Sequence, residues 1–358
     1  MKRVLAVIFL LFLFTIPVRA ENFYEESNVE AIEEALPDEA KEIFEKNEWS
    51  TENIGEKLSE KGFFSLTADF LKSGFSSVLS AVAATLSLIL LSALMSSYTS
   101  GQTATVTDTV CLLSVAVSLT FSVYSVIEAA RQTLTGVFTF VTASLPVYLG
   151  ILIAGGKTAT ANSAGGIIIT ACQVMSYICT FVLTPVMNAY LAVGMCSAFA
   201  DTKISNNLMS GVRKASMWAY SLCVTIFLFI IGTKSVVGSF ADNLTMKTAK
   251  FVLGTAVPVA GGALSESASA VMASLNVLKG GAGIYVIVGI VVILLPLICS
   301  LICWRVCLLL VKSISDIFDS AKISALLLSF EGVISLLLGF VLLSLALLII
   351  SMGVMVKI

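Results

Sequence analysis

Residues 164–200 read AGGIIITACQVMSYICTFVLTPVMNAYLAVGMCSAFA, a run of 37 residues without a charged side chain. A helix that spans the hydrocarbon core of a bilayer needs about 20 mostly apolar residues. The run is therefore too long for one span and slightly short for two. Pro185, near its middle, would break or kink a helix. The number of times this run crosses a membrane decides the side on which every later segment lies.

The rest of the chain indicates a membrane protein. Of its 358 residues 58% are hydrophobic and 12% charged, and the mean hydropathy is +0.99. Six further uncharged runs are long enough for one span each: 74–96, 109–127, 134–154, 215–233, 280–304 and 332–356. Small residues recur at every fourth position in the first run, as Ser76, Ser80 and Ala84, which favours close helix packing. The predicted fold is all-α, a polytopic membrane helical bundle over residues 74–356.

Basic residues favour two crossings for the long run, because cytoplasmic loops are enriched in lysine and arginine. With the N-terminus outside and eight crossings in all, residues 246–270 and the C-terminus lie outside. The basic residues that then become cytoplasmic are Lys157, Lys203, Arg213, Lys214, Lys312 and Lys322. A single crossing of the run, seven in all, is the alternative, and it would place Lys203, Arg213 and Lys214 outside.

The N-terminus, MKRVLAVIFLLFLFTIPVRA, resembles a secretory signal peptide, with two basic residues, an apolar stretch and small residues before a cleavage site. We predict a signal peptide over residues 1–20, cut between Ala20 and Glu21, with an uncleaved signal anchor as the alternative. Residues 21–73 then form a short acidic extracytoplasmic segment, since Glu21 to Lys72 contains 15 of the 23 acidic residues and five of the 21 basic ones. This segment is too short to bury a core of its own, so we expect it to pack on the membrane surface or on a partner.

The residue types leave little for catalysis. The chain has no histidine, which excludes HExxH zinc sites and serine–histidine hydrolysis, and no phosphate-binding GxxxxGK[ST] loop is present. Cys299, Cys303 and Cys307 form one helical stripe, and we interpret them as packing residues. No catalytic, cofactor-binding or metal-binding residue is predicted, and the protein is not expected to be an enzyme.

Ionisable residues within membrane spans usually mark coupled transport, because burying them in lipid is costly. Lys234 and Arg305 lie near the ends of predicted spans, and Glu331 precedes the last span. We interpret Glu331 as a helix N-terminal carboxylate that the helix dipole favours. A nearly uncharged midplane favours a scaffold or a passive pore.

Residues 239–283 are too polar for a span and too apolar for an ordinary loop. Lys247 and Lys250 lie on the polar side of one short helical pattern, and Pro258 with a glycine pair then breaks the chain. A second pattern carries an apolar stripe, with Glu266 on the other side. We predict an amphipathic or re-entrant segment; a surface loop whose two helices cap the bundle is the alternative. Its candidate partner-docking or gate residues are Lys247, Lys250, Phe251, Pro258 and Glu266.

The chain resembles a known family in several short blocks, of which the most specific is the polar one from Lys247 to Glu266. They are Leu145-Pro146-Val147-Tyr148-Leu149-Gly150, Trp218, Thr225-Ile226-Phe227-Leu228, Lys247-Thr248-Ala249-Lys250-Phe251, Pro258-Val259 and Ser265-Glu266. Together they resemble the stage III sporulation protein AE family of endospore-forming bacteria, from about Phe75 to the C-terminus.

This resemblance implies a non-enzymatic, multi-pass component of the transenvelope channel complex between mother cell and forespore, required for sporulation after engulfment. The implied location is the mother-cell membrane around the forespore. The implied partners are the other stage III sporulation A proteins, stage II sporulation protein Q and the lipid bilayer, with no nucleic acid and no cofactor. A stand-alone permease or export gate for a small solute is the alternative function.

Overall fold

The structure is a computed structural model that describes residues 30–50, 54, 60–98, 102–200, 203–256, 261–318 and 320–357. The described residues are 95% helical and contain no strand, which confirms the all-α prediction. The predicted cleavage site between Ala20 and Glu21 lies outside them. The helices are α1 Glu30–Glu34, α2 Asp38–Lys46, α3 Glu60–Tyr98, α4 Gln102–Ala154, α5 Thr158–Ile178, a π-helical segment Cys179–Leu183, α6 Thr184–Ala200, α7 Lys203–Ala256, α8 Gly261–Ile317 and α9 Ala321–Lys357.

Six helices in the described part of the chain are long and apolar enough to cross a membrane. The candidate spans are Ser65–Met95, Val106–Ala154, Thr158–Cys196, Met209–Thr245, Gly281–Ile317 and Ala321–Val356. They confirm a multi-pass membrane bundle. The number differs from the eight crossings that the sequence favoured, because two pairs of expected spans each form one continuous helical rod.

The runs 109–127 and 134–154 both lie in α4, which is unbroken from Gln102 to Ala154. The residues between them, EAARQT, are compatible with a helix. Their charges are satisfied within the helix, since the Arg131 guanidinium pairs with the Glu128 carboxylate and Gln132 donates to the same carboxylate at 3.0 Å. The helix ends only at the Gly155-Gly156 turn, where Gly156 has a φ of 78°.

The prediction that residues 164–200 turn back within the membrane is wrong. The chain passes from α5 through the π-helical segment into α6 without a turn, and Pro185 lies one residue inside α6. A proline inside a membrane helix is tolerated where local π geometry and side chains satisfy the freed backbone groups. Beside the proline, the Thr184 hydroxyl donates to the Cys179 carbonyl, five residues earlier, at 3.4 Å. The π-helical segment therefore lies where a hairpin was expected, and the chain continues in the same direction.

Helices α8 and α9 form the centre of the bundle. In the most apolar 18-residue stretch of each of these two spans, 56% is buried inside the bundle. The corresponding value is 28% for α3 and α7, so these helices form the periphery. α8 packs against α3, α4 and α9, and α9 also packs against α6 and α7. A buried hydrogen bond of 2.5 Å between the Tyr220 and Ser344 hydroxyls joins α7 to α9.

Candidate functional site

One end of the bundle collects several chain segments, and we call it the hairpin end. Gly283 of α8 faces Tyr148 of α4, and Gly289 faces Phe140. Because residue numbers rise along α8 as they fall along α4, the two helices are antiparallel. The start of α8 therefore lies at the same end as the turn after Ala154. The same end contains the last turns of α7, and the polar segment predicted from the sequence lies there.

A buried carboxylate anchors α7 at this end. Asp242 is only 5% exposed and accepts hydrogen bonds from the backbone N–H groups of Ala159 and Thr160, at 2.8 and 3.0 Å. These donors belong to the first turn of α5, which has no helical partner for them. Asp242 thus caps α5 from a different helix. The approach is close, because a Cβ atom at Gly238 would lie 2.7 Å from the Cα atom of Thr160.

Beyond this anchor α7 continues to Ala256, about 21 Å at the usual helical rise. α8 starts at Gly261 and reaches Tyr285 after about 36 Å. The two helices contact each other, and we call residues 243–256 and 261–284 the helical hairpin. Residues 239–256 and 261–283 are thus parts of two bundle helices.

The helical hairpin contains most of the predicted docking residues. Lys247 is exposed on α7, Lys250 and Phe251 lie farther along the same helix, and Glu266 lies near the start of α8. Pro258 falls outside the described residues. The backbone places residues 247, 250, 251 and 266 at one end of the bundle.

The acidic segment also packs near the hairpin end. Phe44 of α2 is 2% exposed. Its ring contacts that of Tyr285 of α8 at a tilt and that of Trp49 edge to face, with centroid distances of 4.7 and 5.4 Å. Leu36 faces Gly289 of α8, beside Phe140 of α4. The segment therefore packs on α4 and α8. Its outward side is acidic, with exposed side chains at Glu34, Asp38, Glu39, Glu42, Glu45 and Glu48.

A second polar cluster lies in the opposite half of the bundle. The Arg305 Nε atom of α8 is 2.8 Å from the Glu331 Oε1 atom of α9, and the Glu331 side chain is 9% exposed. One turn along α9, Ser335 accepts a hydrogen bond of 2.8 Å from Arg213 of α7. Tyr190 of α6 lies against Gly332. Four helices meet at this cluster.

The expected helix-terminal role of Glu331 is wrong. The carboxylate lies ten residues after the start of α9 at Ala321 and pairs with a side chain of another helix. Likewise Arg305 lies twelve residues before the end of α8 at Ile317. Both helices extend past the uncharged runs that defined their spans, because the flanking residues are themselves good helix formers with buried apolar side chains such as Leu308, Val311, Leu326 and Leu327.

Two grooves lie on either side of the π-helical segment. One, of about 500 Å³, lies between α4 and α5 and is lined at its far end by Thr180 and Phe181. The other, of about 340 Å³, is apolar and lies between the π-helical segment, α7 and α9, where Leu183 and Phe340 line it. The π-helical segment thus lies between two surface grooves.

The cysteine stripe is part of the packing, as predicted. Cys299, Cys303 and Cys307 are buried on α8, and the Cys303 sulfur lies 3.7 Å from the Leu71 carbonyl of α3. Within the described ranges no group of three histidine, cysteine or carboxylate side chains could hold a metal ion.

Sequence reasoning missed Asp242, Arg213 and Tyr190. Asp242 looked like an ordinary charge at the edge of a polar segment, although a single acidic residue near the end of an apolar run is a signal for a capping role. The Arg305 and Glu331 pair could have been suspected, because each is the charged residue that ends a long apolar run.

This fold, whose described residues include six apolar helices long enough to cross a bilayer, defines a multi-pass, helical membrane protein. The sequence profile of the stage III sporulation protein AE family matches residues 37–358. The chain belongs to this family. The match begins farther upstream than the resemblance from Phe75 suggested, since it includes most of the packed acidic segment.

A relative, stage III sporulation protein AE of Bacillus subtilis (strain 168), is 22% identical over 163 residues. This match covers 46% of the present chain and 41% of the relative, so it spans less than half of either protein. No solved structure matches the chain.

Proposed function

We propose that this sporulation protein is a non-enzymatic integral membrane component of the transenvelope channel complex between mother cell and forespore. Its location would be the mother-cell membrane around the forespore. The family membership supports a sporulation role. The observation that carries the finer proposal is the hairpin end, where the acidic segment packs beside the base of a long helical hairpin. An exported domain with a projecting hairpin suits contacts between two membranes.

The six helices support an orientation for this end. If the acidic segment is exported and each helix crosses once, the turn at 155–157, the helical hairpin and the C-terminus all lie outside. Lys203, Arg213, Lys214, Lys312 and Lys322 are then at the cytoplasmic ends of their helices. Each of two pairs of expected spans is one continuous helix here. Compared with the eight-crossing arrangement, this change moves only the region around Lys157 to the other side of the membrane. The polar segment therefore keeps the outward side that the sequence favoured.

Within this orientation the hairpin is the proposed docking surface. Lys247 is exposed just beyond the Asp242 anchor, Lys250 and Phe251 follow on α7, and Glu266 lies near the start of α8. Pro258, outside the described residues, belongs to the same proposed docking set. The anchor supports this role because a docking element needs a rigid base. The proposed partners are the other stage III sporulation A proteins and stage II sporulation protein Q, which the resemblance implies.

Site-specific photo-crosslinking in sporulating cells tests this function. A photoreactive residue at position 247 should capture exported-side sporulation proteins, because the hairpin projects from that side. The matched control is position 322, an exposed lysine at the other end of the bundle, which should capture none of them. Capture of cytoplasmic proteins alone from position 247 would overturn the proposal.

The ion pair between Arg305 and Glu331 favours a second candidate, a stand-alone permease or export gate. A buried carboxylate within a candidate span is typical of proteins that move protons or ions. This function predicts solute flux across liposomes that contain the chain alone, and loss of that flux in Glu331→Gln with assembly intact. Absence of flux by the purified chain in liposomes excludes it and leaves the channel-complex role.

A further inference from the structure

The apolar groove beside the π-helical segment has the length and lining of a site for one hydrocarbon chain. Val182 of the π-helical segment and Ala219 of α7 form its walls, and Phe340 of α9, which is 5% exposed, forms its floor. From Ala215 to Cys223 the α7 wall is about 12 Å long at the helical rise. One leaflet is roughly 15 Å deep, half of the hydrocarbon core. An acyl chain of a lipid in that leaflet therefore fits along the groove.

A polar contact between α7 and α9 lies at one end of this groove. The Arg213 guanidinium donates to the Ser335 hydroxyl at 2.8 Å, and farther along both helices the Tyr220 and Ser344 hydroxyls share a hydrogen bond. Because residue numbers rise together in these two contacts, the helices are parallel. Ser335 therefore precedes Phe340 of the floor, and Arg213 precedes the α7 wall. Both lie at the end of the groove farther from the hairpin end, which we call the basic end.

The third helix that lines the groove reaches the same place. On α6, Tyr190 follows Val186 of the groove wall by about one turn and lies against Gly332 of α9. Arg213 and Glu331 both act electrostatically on the Tyr190 hydroxyl. The helices α6, α7 and α9, which enclose the groove, therefore also meet at the basic end.

The basic end carries a net positive charge. Arg213 is half-buried and Lys214 is exposed, and neither forms an ion pair with a carboxylate among the described residues. The nearby carboxylate of Glu331 is already paired with Arg305, at 2.8 Å. Guanidinium groups bind phosphate oxygens through strong, charge-assisted hydrogen bonds, and basic pockets between membrane helices bind anionic lipid head groups. The charge at this end is therefore complementary to a phosphate.

The basic end also lies at the depth of lipid phosphates. The uncharged run 215–233 of α7 begins directly after Lys214. Its length, about 28 Å at the helical rise, is close to the thickness of about 30 Å of the hydrocarbon core. Arg213 and Lys214 therefore lie at one boundary of that core, with the apolar groove extending from them into one leaflet.

We propose that the apolar groove and its basic end bind one anionic phospholipid. The acyl chain lies along Val182 and Ala219 above the Phe340 floor, and the phosphate accepts hydrogen bonds from Arg213 and Lys214. With the helical hairpin on the exported side, this lipid belongs to the cytoplasmic leaflet. The lipid site goes beyond the proposed channel role and does not depend on it, since it lies at the other end of the bundle from the hairpin.

Photolabelling of the purified full chain in detergent tests the lipid site. Phosphatidylglycerol with a photoreactive group in its acyl chain is compared with phosphatidylcholine that carries the same chain, and the labelled peptides are identified by mass spectrometry. One basic residue at a membrane surface is worth about fivefold in affinity for anionic lipid. Phosphatidylglycerol should therefore label peptides containing residues 182–186 and 215–223 at least about fivefold more than phosphatidylcholine. Equal labelling by the two lipids would overturn the proposal, because the groove would then take any lipid.

Variants of the basic end test the part that binds phosphate. Arg213→Gln and the exposed Lys214→Gln, made singly, should each lower phosphatidylglycerol labelling about fivefold, whereas Arg213→Lys, which keeps the charge, should retain most of it. Lys322→Gln, at an exposed lysine of the same half of the bundle, is the control and should change nothing. Each variant must elute from a sizing column like its parent. Undiminished labelling in both Gln variants of the basic end would contradict the proposal.

A variant of the groove and a soluble competitor separate a bound lipid from a free phosphate. Ala219→Trp fills the groove but leaves the basic residues in place, so labelling by phosphatidylglycerol should fall. Excess glycerol 3-phosphate should not reduce labelling of the parent chain, because it lacks the acyl chain that the groove holds. Full competition by glycerol 3-phosphate, or unchanged labelling in Ala219→Trp, would show that the groove is not part of the site and would overturn the proposal.

Discussion

At the scale of single residues, three polar side chains, of which Asp242 and Glu331 are buried, hold the long helices in register. Asp242 joins α7 to the start of α5, Glu331 joins α9 to α8, and Ser335 joins α9 to Arg213 of α7. Apolar helices in lipid have little hydrophobic drive to pair, so polar contacts and close packing set their positions. The removal of any one of these contacts should loosen a specific pair of helices.

Replacement of Asp242 should loosen the start of α5. Asp242→Ala removes the acceptor for two backbone N–H groups, and loss of a helix cap costs about 0.5–2 kcal/mol. Hydrogen exchange of the peptide containing Ala159 and Thr160 should therefore become faster. Asp242→Asn, which keeps one acceptor oxygen, should have a smaller effect, and Asn243→Ala at the neighbouring exposed position should have none. Unchanged exchange in Asp242→Ala would refute the cap.

Replacement of Glu331 should lower the free energy of unfolding. Glu331→Ala leaves the Arg305 guanidinium without its partner, and an unsatisfied, partly buried group costs roughly 1–3 kcal/mol. The control is Asp316→Ala, which breaks the more exposed Lys312 pair of 2.7 Å and should cost less than about 1 kcal/mol. Thermal unfolding in detergent measures both. If the effects of Arg305→Ala and Glu331→Ala simply add in the double variant, the two side chains are not coupled.

At the scale of elements, the π-helical segment explains how a 37-residue uncharged run becomes one rod. A π bulge is equivalent to one extra residue inserted into an α-helix. Deletion of Val182 should therefore leave α5 and α6 in register with their neighbours. Deletion of Ala192, in the regular part of α6, should rotate the following residues by about 100° and misplace them. Size-exclusion profiles after extraction should be monodisperse for the first deletion and aggregated for the second; the reverse result would contradict this explanation.

Phe44 is one of the buried side chains that attach the acidic segment to the bundle. Phe44→Ala removes a ring that is 2% exposed, and truncation of a buried phenylalanine costs about 3–5 kcal/mol. The segment should then detach and become sensitive to protease, while the membrane bundle stays intact. Glu42→Ala, on the exposed side of the same helix, is the control. Equal protease resistance in both variants would mean that the segment is held elsewhere.

At the scale of the whole molecule, hydrophobic runs were sufficient to predict a helical membrane bundle, and they located the polar segment at one end. They failed where a charge or a proline lay inside a continuous helix. Glu128 and Arg131 satisfy each other on α4, so they do not mark a loop, and Pro185 is accommodated by a local π turn. Contacts between distant helices, such as that of Asp242 with Thr160, depend on three-dimensional packing and leave no periodic signal in the sequence.

The most direct test of the central claim, six crossings with the helical hairpin on the exported side, is the accessibility of single cysteines in intact growing cells. In a variant without native cysteines, Lys157→Cys, Lys247→Cys and Lys322→Cys are exposed to a membrane-impermeant maleimide. We expect labelling of positions 157 and 247 and protection of position 322 until the cells are opened. Labelling of 322 together with protection of 247 would contradict it, because the hairpin would then lie in the cytoplasm.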